Sequence, residues 1–472
     1  MEQKATEVNR FTDIFKTLKA NQYKVANTSA KQRIAKLKTL KNALEVDYKQ
    51  AIREALQKDL NKPYLETDLT EIYPVIKEIK YASKHLKSWM KNQPVDTPLA
   101  LLGASSWIKY EPKGVCLIMA PWNFPVNLLL VPLVSAIASG NTVVLKPSEM
   151  TAHASQVLKQ IIETVFSSDE IVLVEGGIEE SQDLLKLPFN HIFFTGSPAV
   201  GKIVMRAASD HLTSVTLELG GKSPSIIHES ANLKDVVKKT VFGKFLNSGQ
   251  TCIAPDYMLV HESIKEEFVS VFKETVAKFY SENPEASHSY CRVINGKHHQ
   301  RLLDHLEDAK QRGAKIEIGG QENAKENYLA PTLVLDVPLE ATLMQDEIFG
   351  PILPVLTFKT LNDILEIINS KEKPLALYIF SKNRAFIKQV INTTRAGGTC
   401  INHNLIHFLN NNLPFGGSNH SGLGKSHGKF GFEAFSNPRA VMKQHTMGAL
   451  DLLYPPYTNL KQKLIDLTLK WF

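Results

Sequence analysis

Cys252 stands in "FLNSGQTCIAPDYM", between Gly249-Gln250-Thr251 and an Ile-Ala-Pro exit. Small neighbours, nearby backbone donors and a base brought from elsewhere in the fold would make it a nucleophile. A core thiol fits the same context, and a metal or disulfide fits less well, since no second cysteine or histidine lies a few residues away. Glu218 closes "VTLELGG", where Val215, Leu217 and Leu219 share one strand face and Thr216 and Glu218 the other. Partial burial there raises a carboxylate pKa toward neutrality and suits a general base; pairing with a basic residue is the alternative. Asn123 lies in "APWNFP" beside Trp122, between two prolines that fix the backbone. An amide so held can donate to a developing oxyanion, although a purely structural turn permits the same residues.

Three further stretches suit a nucleotide. "FFTGSPAVG" puts Gly196 at a strand end, Ser197 as a helix N-cap and Gly201 one turn into that helix, an arrangement that lets backbone N–H groups approach a pyrophosphate. GSxxxG is not the GxGxxG fingerprint, and a ligand-free strand–helix turn explains it equally well. In "VVLKPSE", Lys146 and Glu149 stand at the carboxyl end of a strand and can grip ribose hydroxyls; a surface pair at a helix start is the plainer reading. "QDEIFGP" offers Glu347 to a ribose and the Phe349 ring to a nicotinamide, or merely a strand entry with a packed ring. His403 and His407 in "HNLIH" have a zinc-like spacing but lack the glutamate of HExxH and a third ligand, so no metal is expected.

These residues need elements to hold them. The chain has 472 residues, 43% hydrophobic and 22% charged, the balance of an ordinary globular protein of several domain-sized units. Its net charge of +7 comes from lysines spread along helical stretches, unlike a nucleic-acid surface. Four cysteines without CxxC spacing predict a reducing, cytoplasmic setting. "MEQKATEVNRFTDIF" does not read as a signal peptide, and the apolar run 128–138 is too short to span a bilayer. Residues 30–91 read as long helices, with Ile34, Leu37, Leu40, Leu44, Tyr48, Ile52 and Leu56 at three- and four-residue steps. Residues 94–114 read as a hairpin arm. From Gly114, buried strands alternate with helices, which predicts a parallel sheet covered on both faces, and a second α/β stretch follows from 219 to 405. A helix is expected over 232–247, ending at Gly249, and an irregular segment over 427–450.

In order along the chain, "APWNFP", "GNTVVLKPSE", "FFTGSPAVGK", "TLELGGKSP", "NSGQTC", "DEIFGP" and "LPFGGSNHSGLG" resemble the NAD(P)-dependent aldehyde dehydrogenase superfamily. "GQTCIAPDY", "KPLALYIFS" and "SHGKFGFEAFS" look most like its class 3 and fatty-aldehyde branch. The resemblance implies an α/β, aldehyde dehydrogenase-like fold with a Rossmann-type cofactor domain (1–95 and 113–218), an α/β catalytic domain (219–406), a small oligomerisation arm (96–112 and 407–450) and a C-terminal tail helix (451–472). It implies that Cys252 attacks the aldehyde carbon, that Asn123 and the Cys252 N–H hold the oxyanion, and that hydride leaves for a nicotinamide. Glu218 then activates water to hydrolyse the thioester. It assigns Trp122, Lys146, Glu149, Gly196, Ser197, Gly201, Glu347 and Phe349 to the cofactor. NAD is expected, with NADP accepted, because Glu149 on the adenosine ribose repels a 2′-phosphate. A medium or long aliphatic or aromatic aldehyde, a cytoplasmic homodimer and no nucleic-acid partner complete the expectation.

His403 stands where relatives often carry an aspartate, in a segment expected to line the substrate side. The tail "YPPYTNLKQKLIDLTLKWF" resembles the start of the fatty-aldehyde branch's tail, with Leu460, Leu464, Leu467 and Trp471 on one helical face. A gate over the substrate funnel, a weak membrane contact and docking on its own core all fit that face. The rival classes are a CoA-acylating dehydrogenase, against which Glu218 argues, a catalytically silent nucleotide-binding protein, and a metallohydrolase built on the histidines.

Overall fold

The computed structural model describes residues 9–445 and 447–471. Two sheets carry the chemistry. In the first, the strands run in the spatial order Gly422–Leu423, Ser214–Glu218, His191–Thr195, Val115–Met119, Thr142–Lys146 and Ile171–Leu173. All pairs are parallel except the Gly422–Leu423 edge. From Val115–Met119 the chain adds two strands outward and then returns to the other side, so the order reverses beside His191–Thr195. Open α/β sheets bind ligands at the carboxyl ends next to such a reversal.

Both faces of this sheet are covered, as its apolar strands require. Cys116 and Ile118 join a core with Leu37, Leu40, Leu44, Ile52 and Leu56 of the N-terminal helices. Val115, Leu117 and Met119 point into a second core with Phe15, Leu18 and Phe189. The helix Pro125–Ser139 is buried along its whole length, which explains why its sequence is apolar without a stripe.

The second sheet has the order Lys315–Ile318, Thr332–Leu335, Ile352–Phe358, Tyr257–His261, Pro224–Ile227, Ala376–Phe380 and Gly398–Ile401. Its first strand is antiparallel, so neither sheet is purely parallel as the alternating pattern suggested. An arm of three antiparallel strands, Gln93–Val95, Ala104–Pro112 and Ser436–Gln444, lies apart from both.

Two local expectations need correction. Residues 427–450 are not irregular: they form the helix Gly428–Ala434 and a nine-residue strand paired with Ala104–Pro112. Proline and charged residues hid that strand, since it lies at an edge where few side chains are buried. The helix before Cys252 runs Leu233–Phe245 and stops short of Gly249. Asn247, Ser248 and Gly249 then take left-handed backbone conformations, with φ of 52°, 54° and 73°. A Cβ on Gly249 would lie 2.2 Å from the Gly350 carbonyl oxygen, so this position admits only glycine.

The helix Asn459–Trp471 exposes Leu460, Leu464 and Leu467, so it does not dock on its own core; the Trp471 side chain lies outside the described ones. Among the described residues no helix is long and apolar enough to cross a membrane.

Candidate active site

The carboxyl ends of the first sheet open onto a cavity of about 380 Å³. Trp122 and Asn123 reach it after Val115–Met119, Gly196 and Ser197 after His191–Thr195, and Glu218 ends its own strand. Glu347 and Phe349 line it from the second sheet's side, and Cys252 closes the inner end. A second cavity of about 200 Å³ begins at Cys252 and leads away between Leu69, Phe124, Phe242, Leu246, Ile406 and Phe408. Among the described residues, no charged side chain lines this tunnel. Cys252 thus borders a roomy polar-ended chamber on one side and an apolar tunnel on the other.

The Cys252 thiol is free and half-buried. Burial pushes its pKa up, and the carboxylates of Glu347 and Glu218 push the same way, against its own N–H and that of Ile253. Burial and both carboxylates thus favour the neutral thiol over the thiolate. Glu218 is 6% exposed, and burial raises its pKa to about 7. The Ser426 hydroxyl donates to Glu218 Oε1, and Lys425 adds positive charge nearby; both favour the carboxylate. Glu218 thus has a hydroxyl partner rather than an ion pair. Burial raises Glu347 to about 8, with Asp256 adding to the rise and the Gly221 N–H opposing it. Its carboxylate lies where a Cβ on Gly220 would be, 2.2 Å from Oε2, so the glycine pair makes room for it.

Asn123 is buried, and its Nδ2 donates to the Gln250 carbonyl at 3.0 Å. The Asn123 carbonyl accepts from Lys62 Nζ at 3.2 Å and from Asn247 Nδ2 at 2.8 Å. Lys62 pairs with Glu71 at 2.6 Å, both fully buried, and the other Glu71 oxygen accepts from Val126 and Asn127 N–H at 3.1 and 3.0 Å. Glu71 therefore caps the helix that follows Asn123, which has no cap of its own.

The Trp122 ring packs edge-on to Phe349 at 5.4 Å and against His298 at 5.2 Å. Ser197 does cap Pro198–Ser209, accepting from Val200 N–H. Gly201 lets that helix approach the sheet; a Cβ there would come within 2.8 Å of Leu219. Lys146 and Glu149 do not line the chamber. Lys146 is buried and donates to the Pro147 and Gly176 carbonyls at 2.7 and 2.6 Å, and Glu149 is exposed beside it. His403 does not line the tunnel either; Asn404, Leu405 and Ile406 do. His403 and His407 do not share a helix, since His407 lies in the short turn Ile406–Leu409.

Sequence reasoning missed His298, Arg301 and His305, which line the chamber from the helix Gly296–Gln311. Burial lowers the His298 pKa to about 4, and Arg301 donates to the Ile348 carbonyl at 2.9 Å. Their i, i+3, i+7 spacing was the available signal. His305 is nine-tenths buried, and among the described residues neither its Nδ1 nor the Thr195 hydroxyl, which also lines the chamber, has a hydrogen-bond partner. Partnerless polar atoms, glycine-lined walls and an arginine fit a polar, anionic ligand such as a dinucleotide.

The aldehyde dehydrogenase family signature matches residues 2–441. The 4,4′-diaponeurosporen-aldehyde dehydrogenase of Staphylococcus aureus is 45% identical over 421 residues, 89% of this chain and 91% of that protein. Aldehyde dehydrogenase family 3 member B3 of Mus musculus is 43% identical over 439 residues, covering 93% and 90%. A substrate-bound structure of Staphylococcus aureus AldH superposes with a TM-score of 0.93 at 43% identity, covering 98% of this chain and all of that one. The chain belongs to the aldehyde dehydrogenase family, in its class 3 branch. It is an NAD(P)-dependent enzyme that oxidises aldehydes.

Proposed function

We propose that Cys252 is the nucleophile, Asn123 the oxyanion donor and Glu218 the base for thioester hydrolysis. One observation carries the reading: Cys252 is the reactive side chain common to both cavities, with Glu218 and Asn123 in the walls of the first. The aldehyde reaches the sulfur through the tunnel, and the sulfur adds to its carbonyl carbon as the thiolate, its proton leaving to solvent. Asn123 Nδ2 has a second hydrogen, beyond the one on Gln250, for the oxyanion. A nicotinamide dinucleotide, when bound, supplies the hydride acceptor and a positive charge that favours the thiolate. Glu218 then takes a proton from the water that attacks the thioester, which regenerates the thiol and releases the acid.

Trp122, Gly196, Ser197, Gly201, Glu347 and Phe349 would hold the dinucleotide, joined by His298, Arg301 and His305. Lys146 and Glu149 meet only its adenosine end. The exposed Glu149 carboxylate favours NAD over NADP by repelling a 2′-phosphate. The uncharged tunnel favours medium or long aliphatic or aromatic aldehydes. A homodimer through the three-stranded arm is supported by exposed Val95, Leu99, Leu102 and Met442 on or beside it. The domain boundaries read from the sequence accompany this proposal, as does a cytoplasmic setting for four free cysteines. The tail helix, with its leucines outward, would gate a tunnel or touch a membrane weakly.

Cys252→Ala should abolish oxidation while NAD titration still shows binding. Glu218→Gln should give one burst of NADH and then stall; steady turnover at the normal rate would remove Glu218 as the base.

A further inference from the structure

We propose that Asn247 is a positioning residue for the acylation step: its side-chain amide ties the Asn123 loop to the Cys252 loop and so sets the oxyanion donor against the nucleophile. The proposal rests on the reading of Asn123 as the oxyanion donor. Asn247 is fully buried, and its Nδ2 donates to two carbonyls, Asn123 at 2.8 Å and Gln250 at 3.2 Å. The Gln250 carbonyl also accepts from Asn123 Nδ2. The three bonds close a ring that joins the amide facing the chamber to the backbone two residues before Cys252. Turning the Asn247 amide over would set its oxygen against two carbonyl oxygens, so the donors fix its orientation.

The backbone of Asn247 is anchored independently. Its N–H donates to Glu66 Oε1 at 2.8 Å, and its φ of 52° is one that asparagine tolerates and glycine adopts freely. Asn247→Gly therefore keeps the turn and the Glu66 bond and deletes only the two side-chain bonds. Asn123 keeps Lys62 on its carbonyl, so the loop persists but loses its link to the cysteine segment. Displacement of a catalytic group by about 1 Å costs on the order of a hundredfold in rate.

The test is a double-mutant cycle of Asn247→Gly and Asn123→Ala, read as the single-turnover rate of NADH formation. Asn247→Gly alone should slow that step about tenfold or more, with NAD affinity unchanged. Added to Asn123→Ala it should cost nothing further, because it acts through Asn123. A wild-type rate for Asn247→Gly, or the same fold loss in both backgrounds, overturns the proposal. A wild-type rate for Asn123→Ala overturns the oxyanion reading and this proposal with it, whereas a slow Asn123→Ala with a fast Asn247→Gly overturns the proposal alone. Should Asn247→Gly lose NAD binding, Asn247→Asp, which keeps the volume and turn but not the donors, takes its place in the cycle.

Discussion

Removing the Ser426 hydroxyl should move the pH at which the acyl-enzyme is hydrolysed. Burial sets the Glu218 pKa at about 7, and the Ser426 bond opposes burial by favouring the ionised form. A hydrogen bond to a charged group contributes about 1.5–3 kcal/mol, and about 1.4 kcal/mol is one pKa unit. Ser426→Ala should therefore raise the Glu218 pKa by about one to two units, to about 8 or 9. Only the carboxylate can take a proton from water, so hydrolysis rises with pH and levels off above the pKa. At pH 7 the ionised fraction falls about five- to fifty-fold, and above roughly pH 10 the variant and wild type converge. The assay follows decay of the acyl-enzyme by rapid quench and intact-mass measurement across a pH series. With Cys252 acylated, its thiol contributes nothing to that profile. An unmoved midpoint, or one moved to lower pH, would refute the assignment of Ser426 as the partner that tunes Glu218.

Other perturbations probe other walls of the site. Glu347→Gln removes negative charge beside the thiol, so the pH profile of Cys252 alkylation by iodoacetamide should shift downward; an upward shift would contradict the electrostatics. Gly249→Ala combines a left-handed φ with a backbone overlap and should lower stability by at least about 1–3 kcal/mol in a urea titration. Tryptophan at Leu69 or Ile406 should narrow the tunnel, with kcat/KM falling about fourfold for each methylene excluded from burial and short aldehydes unaffected. Glu149→Gln should raise the NADP to NAD ratio of kcat/KM; an unchanged ratio places the adenosine ribose elsewhere.

How far the sequence could be read depended on whether the signal was local. The alternation of strands and helices, the N-cap at Ser197 and the proline-fixed turn at Asn123 are neighbourly patterns, and the chain folds them as they read. Cys252 and Glu218 stood out because each breaks the chemistry of its own short segment. Ser426, Lys62, Glu71 and Asn247 do not. Lys62 reaches Asn123 across 61 residues and Ser426 reaches Glu218 across 208, so no spacing rule joins them. His298, Arg301 and His305 were concealed differently, on a helix whose polar face looks like an ordinary solvated surface until the chamber is placed beside it. Lys146 and Glu149 read as an adjacent pair, but the lysine donates to the Pro147 carbonyl and, across 30 residues, to that of Gly176, a bond that no local pattern announces.

The central claim is that one sulfur carries the acyl group. Glu218→Gln protein, mixed with an aliphatic aldehyde and NAD and quenched in acid, should gain the acyl mass once, on the peptide that contains Cys252. Acyl mass on Cys116, Cys291 or Cys400, or none on any cysteine while NADH forms, would contradict the account.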